Sequence, residues 1–405
     1  KIDLSNFLLS FMIMALGGSS SFLNWAGILS GIIKKTVSKQ ALCKRVNKNI
    51  IPCLKLILES TFNIQIRQQY LNSPKSKGLF SPFGCVYLQD STCIKLPDEL
   101  RQFYKGSVSN GKQKSLLRIQ VIYELLTGTF KPFKITSYTD NDQGAAPDII
   151  EILKPNDLVI RDLGYFVTLT FKKISLSGAF FLTRFKYGCN IFCPETCKKI
   201  DLLHKLKGKF IDIDVLLGSK EKIPCRLVAI RLPEEIANER RRKAKIDRDK
   251  RLNHDKEYME LLGWSIYYTN VSRNIWDYKA IAKVYKIRWH IEIIFKGWKS
   301  HFNIDKIIPE KPSGKNVMPE SMANYKNRID MVIYCMLIFV VLFHSLFFLY
   351  FLDKIYKERG KLLSYLKVCM FIHNNIRRIL NSYNWNEFLD ELSYFTSFEK
   401  YQKRK

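Results

Sequence analysis

The chain has 405 residues, with 66 Lys and Arg against 37 Asp and Glu and a formal charge of +29. Its 47% apolar content excludes a disordered polymer, and its length suits two or three domains around a sizeable core. The charge calls for an acidic partner, nucleic acid first and an anionic membrane surface second, and the ten scattered cysteines form no disulfide framework and fit a reducing compartment.

The apolar stretch from Phe7 to Ile33 is broken by Gly17, Gly18 and serines, without a basic head or cleavage site, so it does not read as a signal peptide. Leu23, Ala26, Leu29 and Ile32 follow helical spacing. After a turn at Lys35, Thr36 and Val37, Ser38 is placed to cap a second helix from Lys39 to Asn49. Its polar side carries Lys39, Lys44, Arg45 and Lys48. Two short helices, a tight turn and a basic second helix are the ingredients of a helix-turn-helix, although an ordinary helical bundle shows the same pattern.

From Gly84 the pattern turns to strands. A short run from Cys85 to Gln89 ends at Asp90, and Leu116 to Leu126 and Phe133 to Tyr138 read as further strands. Asp148 to Leu153 reads as a short helix. The strand Leu158 to Arg161 ends at Asp162 and is followed by Gly164. Strands continue at Ala179 to Phe185, Phe210 to Leu217 and Cys225 to Leu232, then a charged helix spans Arg240 to Lys256. Trp264 to Thr269 is the last strand, and Lys279 to Phe302 reads as one long amphipathic helix. Strands and helices alternating around Asp90 and Asp162, followed by a β-rich stretch, predict an α/β core carrying an insertion. Cys189, Cys193 and Cys197, with His204 beyond, lack the spacing of a zinc site and read as idle thiols. Met331 to Leu352 has no Asp, Glu, Lys or Arg over 22 residues. That meets the length of a spanning helix, ~20 residues, and equally describes a core helix covered on all sides.

Phosphodiester cleavage needs an activated hydroxyl or water and a stabilised leaving oxygen, and divalent ions held by carboxylates supply both. Asp90 and Asp162 at strand ends and Glu292 on a helix are such carboxylates. Tyr285, Arg288, Glu292 and Lys299 fall on one helical stripe, combining an aromatic, a guanidinium, a carboxylate and an ammonium. A solvated helix face with one Arg–Glu pair would look the same. Arg184 and Lys186 could line a channel, whereas Arg240 to Lys243 read as a solvated helix face and Asp140 and Asp142 as turn residues. His290 points off the stripe. There is no phosphate-cradling Gly-rich loop and no nucleophile elbow, so no nucleotide cofactor is expected.

The stripe matches the Y-x2-R-x3-E-x6-K signature at all four positions, and in this it resembles the IS4 family of insertion-sequence transposases. Leu88-Gln-Asp-Ser-Thr and Leu158-Val-Ile-Arg-Asp-Leu-Gly-Tyr-Phe resemble the family's two aspartate motifs. Phe180 to Lys186 and Trp264 to Asn270 resemble its flanking strands, and the likeness runs roughly from residue 5 to 350. The resemblance implies an RNase H-like core, a mixed sheet flanked by helices, interrupted by a β-rich insertion before the glutamate and preceded by a helical DNA-binding region. It implies a DDE triad of Asp90, Asp162 and Glu292 binding two Mg²⁺ or Mn²⁺ ions for cleavage at transposon ends and strand transfer. Tyr285, Arg288 and Lys299, with Trp289 and Arg184 nearby, would contact DNA, and Lys39, Lys44, Arg45 and Lys48 would bind the element's terminal repeats. A homodimer in the synaptic complex, a bacterial cytoplasmic, nucleoid-associated location and no membrane partner follow by the same analogy. The alternatives are an inactive copy that only binds DNA and a membrane-anchored basic protein. The expected division is a helical DNA-end-binding region over 1–80, core over 81–165, insertion over 166–260, core again over 261–352 and a helical region over 353–405.

Overall fold

A computed structural model describes residues 2–72, 78–246, 255–309, 319–381 and 384–398. The chain opens with helices α1 (Leu4–Leu16), α2 (Phe22–Ile33), α3 (Lys39–Arg45) and α4 (Ile50–Asn72). Asp3, Ser21 and Ser38 each accept the backbone N–H three residues ahead, satisfying a donor that the helix start leaves open. Trp25 packs on Phe7, Phe11 and Phe22 and donates its indole N–H to Ser10 Oγ at 2.9 Å. The predicted second helix stops at Arg45 rather than Asn49. There the Asn47 side chain takes the Asn49 N–H at 2.9 Å, a local turn that competes with helix. These helices share one apolar core with the rest of the protein: Phe11, Leu29, Leu54 and Phe62 belong to the same buried cluster as Trp298, Met336 and Val368. The division at residue 80 is therefore not a break in the core.

The sheet begins with β1 (Val86–Leu96), β2 (Lys105–Ser109), β3 (Lys112–Glu124), β4 (Thr129–Phe130) and β5 (Lys134–Ser137). Then come α5 (Asp142–Ala145), a 3-10 stretch at Ala146–Ile152 where a short helix was expected, and β6 (Leu158–Arg161). Next are α6 (Thr168–Leu176), β7 (Phe180–Arg184), β8 (Ile191–Phe192), α7 (Leu202–Lys205), β9 (Phe210–Leu217) and β10 (Ile223–Arg231). They are followed by α8 (Glu234–Lys245), α9 (Lys256–Leu261) and β11 (Trp264–Thr269). The middle of the predicted charged helix, 247–254, lies outside the described residues.

Among the described residues the sheet has eleven strands, in the order β2-β3-β1-β6-β7-β11-β10-β9-β8, with β4 and β5 also on β3. β1 is antiparallel to β3 and parallel to β6, which is parallel to β7. An antiparallel meander followed by two parallel strands gives an RNase H-like mixed sheet. β1 does not end at Asp90, where the apolar run stops in the sequence. It stays in register with β3 through Asp90↔Val121 and Ser91↔Gln120 to Leu96. The β-branched and apolar residues at 92, 94 and 96 keep one face packed, which sustains the strand. The strands of the expected insertion continue the same sheet, because β11 pairs antiparallel with β7 and β10 with β11.

Past the sheet stand α10 (Tyr278–Tyr285), a 3-10 turn at Lys286–Arg288 and α11 (Trp289–Ser300). The single long helix expected from Lys279 to Phe302 is thus broken at the signature. α12 (Pro319–Leu342), a π-helical segment at Phe343–Phe348, α13 (Leu349–Arg359), α14 (Tyr365–Asn381) and α15 (Trp385–Thr396) complete the described chain. α11 lies close on α14 at Gly297, where an added Cβ would stand 2.8 Å from the Tyr365 ring. The helix spanning Met322–Arg359 is long and apolar enough to cross a membrane by length and composition. Here it is a core helix: Met331, Ile333, Cys335, Ile338 and Val340 are buried against α1, α4 and the sheet.

Within the π-helical segment, His344 is fully buried, with Nε2 3.3 Å from Tyr123 Oη. Burial pushes its pKa down to about 3, with the nearby His290 adding to the effect. A folded value below the unfolded value of ~6.5 means that the neutral ring's contribution is present above pH ~6.5 and is lost as pH falls toward 3. His344→Gln is therefore expected to flatten the fall of unfolding free energy between pH ~6.5 and ~5, measured by denaturant titration. Parallel profiles for the two proteins would remove this assignment.

Candidate active site

The adjacency of β1 and β6 brings the two aspartates together. Gln89 and Arg161 are register partners on the two parallel strands, so the next residue on each, Asp90 and Asp162, stands at the same level. Asp162 follows β6 directly and precedes a 3-10 turn, Leu163–Tyr165. Glu292 faces them from the first turn of α11 rather than from mid-helix.

Arg288 occupies the space between the three carboxylates. Its guanidinium lies 2.6 Å from Glu292 Oε1, 3.6 Å from Asp90 Oδ2 and 3.8 Å from Asp162 Oδ1. The break in the helix explains the placement. A 3-10 turn has about three residues per turn, so Tyr285 and Arg288 fall on one line, both toward the strand ends. Tyr285 is buried against Tyr267 and donates its hydroxyl toward Asp162 Oδ1 at 3.4 Å and the Arg161 carbonyl at 3.3 Å.

The electrostatics follow from this packing. Burial raises the Asp90 pKa to about 7; the Ser91 N–H and Arg288 pull it back, and Asp162 and Glu292 push it further up. Burial works against the Arg288 charge, but Tyr285, Asp162 and Glu292 outweigh it and raise its pKa. Burial also holds the Tyr285 phenol protonated well above its ordinary range.

An open cleft of about 520 Å³ lies over the cluster, with Lys296 and Lys299 on its wall. Among the described residues, no three acidic, His or Cys side chains are drawn together tightly enough to hold an ion as they stand. At this cluster the guanidinium keeps the carboxylates apart. The donor set nonetheless fits a hard divalent cation: three carboxylates already arranged around one positive charge.

The structure brings together Asp90, Asp162, Glu292, Tyr285, Arg288 and Lys299, although Tyr285 and Arg288 are buried among the carboxylates instead of lying on a solvent-facing stripe. Trp289 is 59% exposed at the start of α11. Arg184 is exposed at the end of β7, opposite Tyr267 in register, near enough for its charge to act on Tyr285. Lys39, Lys44, Arg45 and Lys48 are exposed on and just after α3, and none lines the cleft. His290 turns away and stacks on Tyr123. Arg240 binds the Trp264 carbonyl, Arg241 pairs with Glu234 and Lys243 with Glu239, so these cations are engaged by neighbouring protein groups. Lys186 lies over the Phe166 ring. Cys189, Cys193 and Cys197 are free thiols.

Two residues at the site escaped sequence reasoning. Lys296 sits one turn from Glu292 and could have been found from that spacing. Asp142, expected to be a turn residue, accepts from Arg118 at 2.5 Å, Ser91 Oγ at 2.8 Å and Gln120 at 3.1 Å. No local pattern signals those partners, which are 22 to 51 residues away.

The family described as Transposase DDE domain matches residues 81–315. The chain is 30% identical over 289 residues to the transposase for insertion sequence element IS231B of Bacillus thuringiensis subsp. berliner, covering 66% of this chain and 60% of that protein. It is 30% identical over 297 residues to the transposase for insertion sequence element IS1151 of Clostridium perfringens, covering 68% and 62%. The chain thus spans about three fifths of the length of these relatives. A cryo-EM structure of a piggyBac transposase synaptic complex with hairpin DNA is similar over 79% of this chain and 60% of its own, with 9% identity and a TM-score of 0.35.

Proposed function

The chain belongs to the DDE transposase family, and on that premise we propose that it cuts DNA at the ends of an insertion element and joins those ends to target DNA. The observation that carries the reading is the convergence of Asp90, Asp162 and Glu292 around Arg288 beneath a cleft walled by lysines. Family membership implies a requirement for divalent metal.

In this reading Asp90, Asp162 and Glu292 would hold two Mg²⁺ or Mn²⁺ ions, which would supply activation of the attacking oxygen and stabilisation of the leaving one. The rest is done by the chain's own side chains. Tyr285 fixes the orientation of Asp162 through its hydroxyl. Arg288 neutralises the carboxylate cluster and would contact the DNA phosphates. Lys299 and Lys296 take phosphates across the cleft, as point charges that need no fixed angle. Trp289 and Arg184 meet DNA at the rim. Lys39, Lys44, Arg45 and Lys48 grip the element's terminal repeats, and two copies of the chain hold two ends. The setting is DNA in the bacterial cytoplasm, consistent with a buried rather than lipid-facing apolar helix.

The test is to incubate the protein with DNA carrying its element's own terminal repeats, with and without Mg²⁺, and to map nicks. Metal-dependent cuts at the repeat boundary support the reading; specific binding without cuts refutes the catalytic part of it. Lys299→Ala is further expected to weaken DNA binding alike on all sequences and to reduce the slope of log affinity against log salt by about 0.9, one phosphate contact. An unchanged slope would take Lys299 off the phosphate path.

A further inference from the structure

Asp142 heads a short segment that touches both aspartate strands. Its Oδ1 receives Ser91 Oγ, from the residue after Asp90, together with Arg118 and Gln120 of β3. It also lies beneath the loop after Asp162: a Cβ on Gly164 would stand 3.0 Å from Asp142 Oδ2. At the end of the same segment, two consecutive carbonyls are held by the residues just before the triad aspartates. Gln89 donates to the Ala145 carbonyl at 2.9 Å and Arg161 to the Ala146 carbonyl at 2.6 Å. Gln89 and Arg161 are both buried. Side chains alternate along a strand, so Gln89 and Ser91 face away from the side on which Asp90 meets Arg288. The segment therefore closes on the back of the sheet, opposite α11. Tyr165, three residues past Asp162, is tied in through Gln120, which it hydrogen-bonds.

We infer that the 142–146 segment is a positioning brace for Asp90 and Asp162, and that Asp142 is its positioning residue, bonded through Ser91 and not itself a metal ligand. Asp142 Oδ1 is taken up by Arg118, Ser91 and Gln120, Oδ2 lies beside Gly164, and Asp142 does not line the cleft. The brace bonds the Asp90 strand on both sides of its carboxylate, at 89 and 91, and the Asp162 strand at 161, with the turn after Asp162 lying close over Asp142 at Gly164. An Asp–Arg pair with the Arg118 side chain only 8% exposed is costly to keep for stability alone, since an apolar pair of similar volume often serves as well. Side chains that orient metal ligands commonly change metal affinity about 10- to 100-fold when removed.

The inference rests on the metal-dependent reading above, and Mn²⁺ binding to the full chain separates the two. Mn²⁺ affinity is measured by calorimetry for the unmodified chain, Asp142→Asn and Ser91→Ala, alongside thermal unfolding in EDTA. Ser91→Ala removes the bond between Asp142 and the Asp90 strand while leaving the Asp142–Arg118 pair and the Gln89–Ala145 bond, so it decides the role of Asp142 if Asp142→Asn fails to fold. The expected result is Mn²⁺ binding weakened about tenfold in both variants, with metal-free DNA affinity unchanged. Unaltered Mn²⁺ affinity in a folded Ser91→Ala protein, whatever its melting temperature, overturns the brace. No Mn²⁺ uptake by the unmodified chain overturns the metal-dependent reading and the brace with it.

Discussion

Glu292→Gln is expected to abolish metal-dependent cutting while leaving DNA binding nearly intact. Gln keeps the length of the side chain and an oxygen that can still accept from Arg288 Nη2, now 2.6 Å from Glu292 Oε1, so α11 has no reason to move. What is lost is one negative charge among three. A metal's stabilisation of developing charge is worth several kcal/mol, and each ~1.4 kcal/mol is tenfold in rate, so a fall of about 10³-fold or more is expected. DNA affinity should hold because it comes mainly from Lys and Arg contacts to phosphate, which the substitution does not touch. Single-turnover cutting of repeat-end DNA, paired with a gel-shift titration, measures both. Cutting at an undiminished rate would remove Glu292 from the triad, and lost binding would show that the substitution acts through the fold.

How legible the site was in the sequence depended on how local its causes are. The carboxylate pair was visible because apolar β-branched runs precede both aspartates, and the helix because Tyr285, Arg288, Glu292 and Lys299 keep helical spacing. Reading Asp90 as a strand end failed because Ser and Thr serve in turns and strands alike, and only pairing with β3 decides between them. The break at Lys286–Arg288 was illegible because apolar periodicity runs through it. Its cause is tertiary, a buried guanidinium that must reach strands formed 120 to 200 residues earlier. α6 was missed for want of a start signal: Val167 precedes it with no side-chain cap. The apolar run at Met331 to Leu352 could not be assigned from composition, since a membrane and a protein core select the same residues. Packing against α1 and α4 distinguishes them here.

Arg288→Ala should destabilise the metal-free protein and leave a protein whose stability depends on divalent metal. Three carboxylates converge on one guanidinium, and burial already raises the Asp90 pKa to about 7, so the site resists carrying three negative charges. Removing one member of a buried ion pair typically costs roughly 3–5 kcal/mol. The Asp162 and Glu292 side chains are 41% and 31% exposed, so water screens part of the repulsion and a loss of about 2 kcal/mol is the better expectation. In the proposed reading divalent cations would compete with Arg288 for the same oxygens. Saturating Mn²⁺ should therefore restore most of the loss in Arg288→Ala, and should stabilise the unmodified protein less, because there the ion replaces a cation already present. Denaturant titrations in EDTA and in Mn²⁺ give the four free energies needed. Equal stability of the two proteins in EDTA would mean that the guanidinium does not hold the cluster together. A deficit that Mn²⁺ leaves untouched would mean that the carboxylates do not receive metal, and the assignment of Asp90, Asp162 and Glu292 as ligands would go with it.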